Sequence, residues 1–265
     1  MHLRDFDSQL TAQAELRTPN RILFSSIDST NGVGKRIASF YYRRGDALPP
    51  TVVVAMEQTS GKGRFGSRWL SPAGGIYISI VRPIRDRETL STLPMRVATS
   101  LCRELDTILD APCRLKWPND LMVEGKKLGG ILIETVGSRE SLVAVVGFGI
   151  NYLADLPELA STATAVAKEG ADIPSLAEAA GRLIRMLETD ISTRASTAEV
   201  VQEYSRWSLH ELGQDIRCRT TRGTHTGRFM GFDERGFLRV LTATGERLIS
   251  AGEIIEDEDA RHHES

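Results

Sequence analysis

The chain has three cysteines, Cys102, Cys113 and Cys218, far apart and with no C-x-x-C spacing. That excludes a disulfide framework and fits reduced thiols in a cytosolic protein. Long apolar runs are missing: nothing approaches the roughly 18–20 residues of a membrane span. The N-terminal MHLRDFDSQLTAQ has no apolar core of a signal peptide. Excess charge is missing as well. With 33 Lys and Arg against 35 Asp and Glu, the formal charge is −2. The whole surface therefore has no general attraction to nucleic acid or anionic membranes, and a cation-rich site must be local. No G-x-x-x-x-G-K-[ST] occurs and no G-x-G-x-x-G opens a helix, which excludes a P-loop and a dinucleotide fingerprint. Of the 265 residues, 41% are hydrophobic, enough for one large domain or one medium and one small.

Charge of one sign does gather in EQTSGKGRFGSRW, Glu57 to Trp69. There Gly61, Gly63 and Gly66 alternate with Lys62, Arg64 and Arg68 between two strand-like runs, 52–56 and 76–81. Glycine lets a backbone approach an anion closely, and backbone N–H groups and cations supply positive potential. A flexible basic surface loop is the plainer reading. Upstream, a strand over 21–27 runs into Asp28-Ser29-Thr30-Asn31, which caps a predicted helix reaching Arg44 and stopping at Gly45. The same hydroxyl and amide groups could instead hold a polar ligand at the helix N-terminus. Spacing of Leu93, Val97, Leu101, Leu105 and Ile108 predicts an amphipathic helix over 92–109.

The second dense stretch is RLKWPNDLMVEGKKLGGILIE, residues 114–134. It predicts a strand over 114–117, a turn at Pro118-Asn119-Asp120, a tight hairpin at Glu124-Gly125 and a strand over 131–133. Lys127 sits beside Gly129 and Gly130, where a ligand or backbone can approach. In 142–151, Gly147 and Gly149 predict a bulge or a ligand lying flat on the sheet. Ser175-x-x-Glu178 reads as a capping box, and a further helix is predicted over 197–212. From Gly213 short alternating strands (215–220, 226–232, 237–242, 247–249) predict a small SH3-like barrel. The expected domains are an arm or short helix at 1–20, a catalytic domain at 21–212, a barrel at 213–256 and a disordered acidic tail at 257–265.

Together these stretches resemble the biotin–protein ligases. The match runs through Asp28-Ser29-Thr30-Asn31, Gln58-x-x-Gly61-Lys62-Gly63-Arg64-x-Gly66-x-x-Trp69 and Lys116-Trp117-Pro118-Asn119-Asp120-Leu121. It continues through Lys127-Leu128-x-Gly130-Ile131-Leu132, Gly147-x-Gly149-Ile150-Asn151 and the barrel tail, covering about 21–255. The resemblance implies an α+β fold, a mixed and largely antiparallel sheet flanked by helices with a small SH3-like barrel. It implies that biotin and ATP-Mg²⁺ form biotinyl-5′-adenylate, which a lysine of a biotin carboxyl carrier domain then attacks. By the same resemblance Lys127 and Arg64 are catalytic. Ser29, Thr30, Asn31, Gln58, Gly61, Lys62, Gly63, Arg64, Lys127, Gly130, Gly147 and Gly149 hold biotin. Lys62, Arg64, Trp69, Lys116, Asn119, Lys127 and Asn151 hold ATP or the adenylate, Asn119 lies near the metal, and Asp120 meets the acceptor lysine.

Where the usual loop reads Gly-Arg-Gly-Arg, Lys62 replaces the first arginine and loses the bidentate fork. Phe65 stands where a basic residue is frequent, and Gly129 replaces a common alanine. About 20 residues precede the first matching strand, fewer than a winged helix-turn-helix needs, so a ligase without a repressor domain is expected, as monomer or homodimer. The alternatives are a lipoate–protein ligase type of acyl transfer and an inactive biotinyl-adenylate-binding regulator. An octanoyl transferase would need a pocket cysteine, and none of the three lies in a ligand motif. Barrel cations such as Arg217, Arg219, Arg222, Arg228 and Arg239 come with few aromatics, which favours a lid over the adenylate rather than a nucleic-acid module.

Overall fold

The structure, a computed structural model, describes residues 3–13, 20–84, 90–138, 141–170 and 172–255. The acidic tail expected at 257–265 lies outside the described residues. Within the expected N-terminal arm, Leu3–Gln13 forms helix α1, and Phe6 and Leu10, one turn apart, are buried in the main core. Asn20–Phe24 is β1, Thr30–Arg44 is α2 and Thr51–Ala55 is β2. β1 ends three residues earlier than expected, because Ser25 to Asp28 turn to deliver the α2 N-cap. Ser29 accepts from the Gly32 N–H, and Gly45 closes α2 in the left-handed region at φ 69°.

Ile76–Ile84 is β3, Leu93–Asp106 is α3, Arg114–Lys116 is β4 and Asp120–Val123 is β5. The Trp117–Pro118 peptide between β4 and β5 is cis. Glu124 (φ 48°) and Gly125 (φ 76°) make the expected tight turn into β6, Lys126–Gly137, which hairpins onto β7, Leu142–Ile150. The seven strands order as β1-β2-β3-β7-β6-β5-β4, with β1 and β2 parallel and the other pairs antiparallel. β3 and β7 pair without interruption from Ile76↔Ile150 to Ile84↔Leu142, and β6 pairs with β7 just as continuously. The bulge expected at Gly147 and Gly149 is therefore absent, and those glycines answer to what lies on the sheet.

One face of the sheet carries α2, whose Gly34 sits so close that an added Cβ would stand 2.8 Å from Val145 and 2.9 Å from Val81. The other face carries α3 with three later helices, α4 (Val166–Glu169), α5 (Leu176–Ser192) and α6 (Thr197–Trp207). Ser175 caps α5 through the Glu178 N–H, but the Glu178 carboxylate bonds Arg182 instead of closing a capping box. The complete box is at α6, between Ser196 and Glu199. α6 stops at Trp207 rather than Leu212 because Ser208 and Leu209 leave the helix to pair with Leu115 at the edge of β4.

The C-terminal domain is an antiparallel sheet of β8 (Asp215–Thr220), β9 (Gly223–Phe232), β10 (Leu238–Thr242), β11 (Gly245–Ile249) and β12 (Glu253–Ile255), ordered β11-β10-β9-β8-β12. Its core residues Ile216, Phe229, Leu238 and Val240 belong to the same apolar cluster as the large sheet. Tyr204 packs edge-on against Phe232, and Trp117 Nε1 donates to Gly236 O at 3.3 Å. Burial of this shared core, about 25 cal/mol per Å² of apolar surface, fixes the small domain over one end of the large sheet.

Candidate functional site

The sheet carries its glycines where side chains must lie across it. A Cβ at Gly147 would stand 2.0 Å from Asn31 Oδ1, and one at Gly149 would stand 2.6 Å from Trp69 Nε1. Around them opens a cavity of about 670 Å³, lined by α2, the glycine–cation loop, β6, β7 and the C-terminal domain. Of the expected residues, it brings together Ser29, Thr30, Asn31, Gln58, Lys62, Gly63, Arg64, Trp69, Asn119, Asp120, Lys127, Gly130, Gly147 and Gly149.

Its floor is polar and ordered. Gln58 Oε1 accepts from the Thr30 N–H at 2.8 Å and lies 3.1 Å from Thr30 Oγ1. Gln58 Nε2 donates to Ser71 Oγ at 2.9 Å. Ser29 is occupied in capping, as its position before a helix allowed. Asn31 lines the cavity but its amide is spent on the protein: Nδ2 donates to Leu132 O and to Glu134 Oε2, both at 3.0 Å. Its Oδ1 lies 2.6 Å from the hydroxyl of Ser79, a fully buried residue in the middle of β3. Ser79 and Glu134 were missed by the sequence reading. A serine between Ile78 and Ile80 in a buried strand was the available signal, since a buried hydroxyl needs a partner.

The cations stand opposite. Lys127 Nζ pairs with Asp120 Oδ1 at 2.8 Å and lies 5.3 Å from the Trp69 ring centroid. Trp69 Nε1 is buried with no acceptor among the described residues. Arg64 opens a one-turn 3₁₀ helix, Arg64–Gly66, and its Nη1 donates to Gly252 O of the C-terminal domain at 2.8 Å. Burial lowers the Arg64 pKa, while the carboxylates of Asp120 and Glu253 oppose that loss. The same domain adds Arg219, Thr220, Thr221 and Glu253 to the lining, with Arg219 and Glu253 paired at 3.0 Å. Of these, Arg219 was noted among the barrel cations and the other three were not singled out, although a lid from this domain was expected.

Three expected residues do not line the cavity. Asn151 donates to Thr164 O at 3.0 Å and Lys127 O at 3.4 Å, tying the end of β7 to the segment before α4. Lys116 is buried on the outermost strand, β4. Gly61 is a packing glycine, since a Cβ there would meet Trp69 O at 2.4 Å and Ser71 Oγ at 2.6 Å. None of the three cysteines lines the cavity, and all are free and buried. Burial pushes the Cys218 thiol up to about 11, so it stays protonated at neutral pH and is no nucleophile. Asn119 donates from Nδ2 to Ile131 O at 2.7 Å and lines the cavity next to Asp120. No group of three or more metal-ligating side chains occurs among the described residues. Among the described residues no helix is long and apolar enough to cross a membrane.

A glycine-floored cavity lined by Lys62, Arg64, Arg68, Lys127 and Arg219, under a small β domain, suits a ligand that carries negative charge. Residues 23–151 match the biotin/lipoate A/B protein ligase family, and residues 212–255 match the biotin protein ligase C-terminal domain. The biotin–[acetyl-CoA-carboxylase] ligase of Paracoccus denitrificans is 31% identical over 248 residues, 88% of this chain and 98% of that one. The bifunctional ligase/repressor BirA of Bacillus spizizenii is 27% identical over 264 residues, 95% of this chain and 78% of its own. The biotin protein ligase of Aquifex aeolicus in complex with biotin and ATP superposes with a TM-score of 0.68 at 29% identity, covering 89% of this chain and 98% of that one. The chain belongs to the biotin protein ligase family and is a ligase.

Proposed function

We propose that the protein joins biotin to ATP as biotinyl-5′-adenylate and passes the biotinyl group to one lysine of a biotin carboxyl carrier domain. One observation carries this reading: a single cavity joins an ordered polar floor at Thr30 and Gln58 to the cations Lys127 and Arg64. A ureido head group suits the floor, and its chain then runs along the glycine strand toward Lys127. Two anions, a carboxylate and a triphosphate, must meet, and fixed positive charge in a water-poor site cancels their repulsion. Magnesium would enter with ATP, held by its phosphates, Asn119 Oδ1 and Asp120, and would screen the departing pyrophosphate.

In the first step the biotin carboxylate oxygen bonds to the α-phosphorus, the α–β phosphoanhydride bond breaks and pyrophosphate leaves. Lys127 trades its Asp120 partner for the carboxylate and the α-phosphate. Arg64 and the loop close over the product against the C-terminal domain, which excludes water from the mixed anhydride. In the second step the acceptor amine forms a C–N bond at the carbonyl carbon and AMP leaves. Asp120, released by Lys127, takes the proton of the incoming ammonium.

The test is pyrophosphate release from ATP and magnesium with biotin, lipoate or octanoate supplied separately. Release with biotin alone, then labelling of a carrier domain, is expected. Lys127→Ala should lower the rate at least tenfold. Release with lipoate alone would keep the fold and overturn the substrate, and near-normal release in Lys127→Ala would remove that residue from the chemistry.

A further inference from the structure

We propose that a hydrogen-bonded chain, Lys35–Glu134–Asn31–Ser79–Thr30, orders the protons beneath the cavity floor so that the Thr30 hydroxyl presents only acceptor lone pairs to the ligand. Ser79 and Glu134 are then positioning residues that select an acid whose head group donates N–H. The inference rests on the biotin reading above and extends it to residues that touch no ligand.

The chain starts half-exposed and ends buried. Lys35 Nζ bonds Glu134 Oε1 at 2.6 Å, and Glu134 Oε2 accepts from Asn31 Nδ2 at 3.0 Å. Asn31 Nδ2 also donates to Leu132 O. Two acceptors at one end of the amide decide which end is nitrogen, so Oδ1 faces Ser79. A carbonyl oxygen only accepts, and Ser79 Oγ lies 2.6 Å from it, which commits the single Ser79 proton. Ser79 Oγ is also 2.8 Å from Thr30 Oγ1, and with no second proton it can only accept there. The Thr30 proton is consequently used inside the protein, on Ser79 Oγ or on Gln58 Oε1. Either way the Thr30 oxygen offers the cavity lone pairs alone. Gln58 is oriented by the same logic, because its Oε1 receives the Thr30 N–H.

Burial removes the alternative of repair by water, since Ser79, Thr30 and Asn31 are 0%, 4% and 4% exposed. Gly147 is part of the device: any side chain there would occupy the space of Asn31 Oδ1, 2.0 Å from its Cβ position. A cyclic urea brings two N–H donors to such a floor. The dithiolane of a lipoyl acid or a plain alkyl chain brings none and leaves buried acceptors unpaired, the kind of mismatch that gives large discrimination.

The test compares biotin with its ureido-N-methylated derivative by calorimetry on the intact protein, and KM for biotin with KM for ATP. The unaltered protein should prefer biotin. Ser79→Ala should weaken biotin at least tenfold, shrink the preference over the methylated compound at least fivefold, and leave KM for ATP within twofold. Glu134→Gln, at the more exposed end of the chain, should act in the same direction by about threefold and stands in if Ser79→Ala does not fold. Biotin affinity within twofold of the unaltered protein in both variants would overturn the proposal. So would equal weakening of both compounds, which is the mark of general loosening. Failure of the unaltered protein to bind biotin would overturn the ligase reading itself, and that is read before any variant is made.

Discussion

The two ends of the cavity are built on opposite plans. At the floor, Thr30, Asn31, Gln58 and Ser79 each make two or more hydrogen bonds, and they hang between α2 and the uninterrupted β3–β7 pairing. At the loop, Arg64 reaches the C-terminal domain through Gly252 O, and its guanidinium lies 4.8 Å from the Phe65 ring centroid. Phe65 itself is 64% exposed and sits in the left-handed region at φ 54°. A bulky residue there costs about 1–2 kcal/mol. One end is held by its own hydrogen bonds, and the other stores a little strain. Under the function proposed above, preorganisation serves recognition of the head group, while a remakeable loop serves admission of ATP and closure over the product.

Gly147→Ala is the sharpest way to break the floor. The new methyl would fall on Asn31 Oδ1, whose amide is tied to Leu132, Glu134 and Ser79, and overpacking of that kind costs about 1–3 kcal/mol. Biotin affinity should fall at least tenfold by calorimetry, with a lowered melting temperature. Arg64→Gly probes the other end. It should leave adenylate formation measurable but let biotinyl-adenylate escape, seen as biotin on unrelated lysines; strict acceptor specificity would count against the closing role. Phe65→Gly is the mildest change. Relief of about 1–2 kcal/mol of strain is offset by about 0.5–1 kcal/mol of added chain entropy and a similar loss of cation–π stacking. The melting temperature should stay within about 2 °C, and leakage should be smaller than in Arg64→Gly.

Much of this was readable in the residues. Capping chemistry placed α2 from Thr30 to Gly45, Glu124-Gly125 placed the β5–β6 turn, and the glycine-cation run placed the loop. These are local signals, set by φ and by hydrogen bonds a few residues apart. Gly147 and Gly149 were read as a bulge or a ligand lying flat on the sheet; the uninterrupted pairing removes the bulge, and what excludes a side chain there, Asn31 and Trp69, comes from over seventy residues away. Asn151 and Lys116 looked like ligand residues by motif, yet the side chain of one is tied to Thr164 O and the other is buried on an outer strand. Ser79 was passed over inside an apolar run, because its partners Thr30 and Asn31 come from α2, nearly fifty residues earlier. Long-range proton bookkeeping has no sequence period.

The most direct test of a preformed floor and a remakeable loop is calorimetry with biotin in the absence of ATP, on the unaltered protein and on Arg64→Gly. Saturable one-site binding without nucleotide, with Kd changed less than twofold by Arg64→Gly, is the expected result. Biotin binding that requires ATP, or that is lost with Arg64, would contradict it.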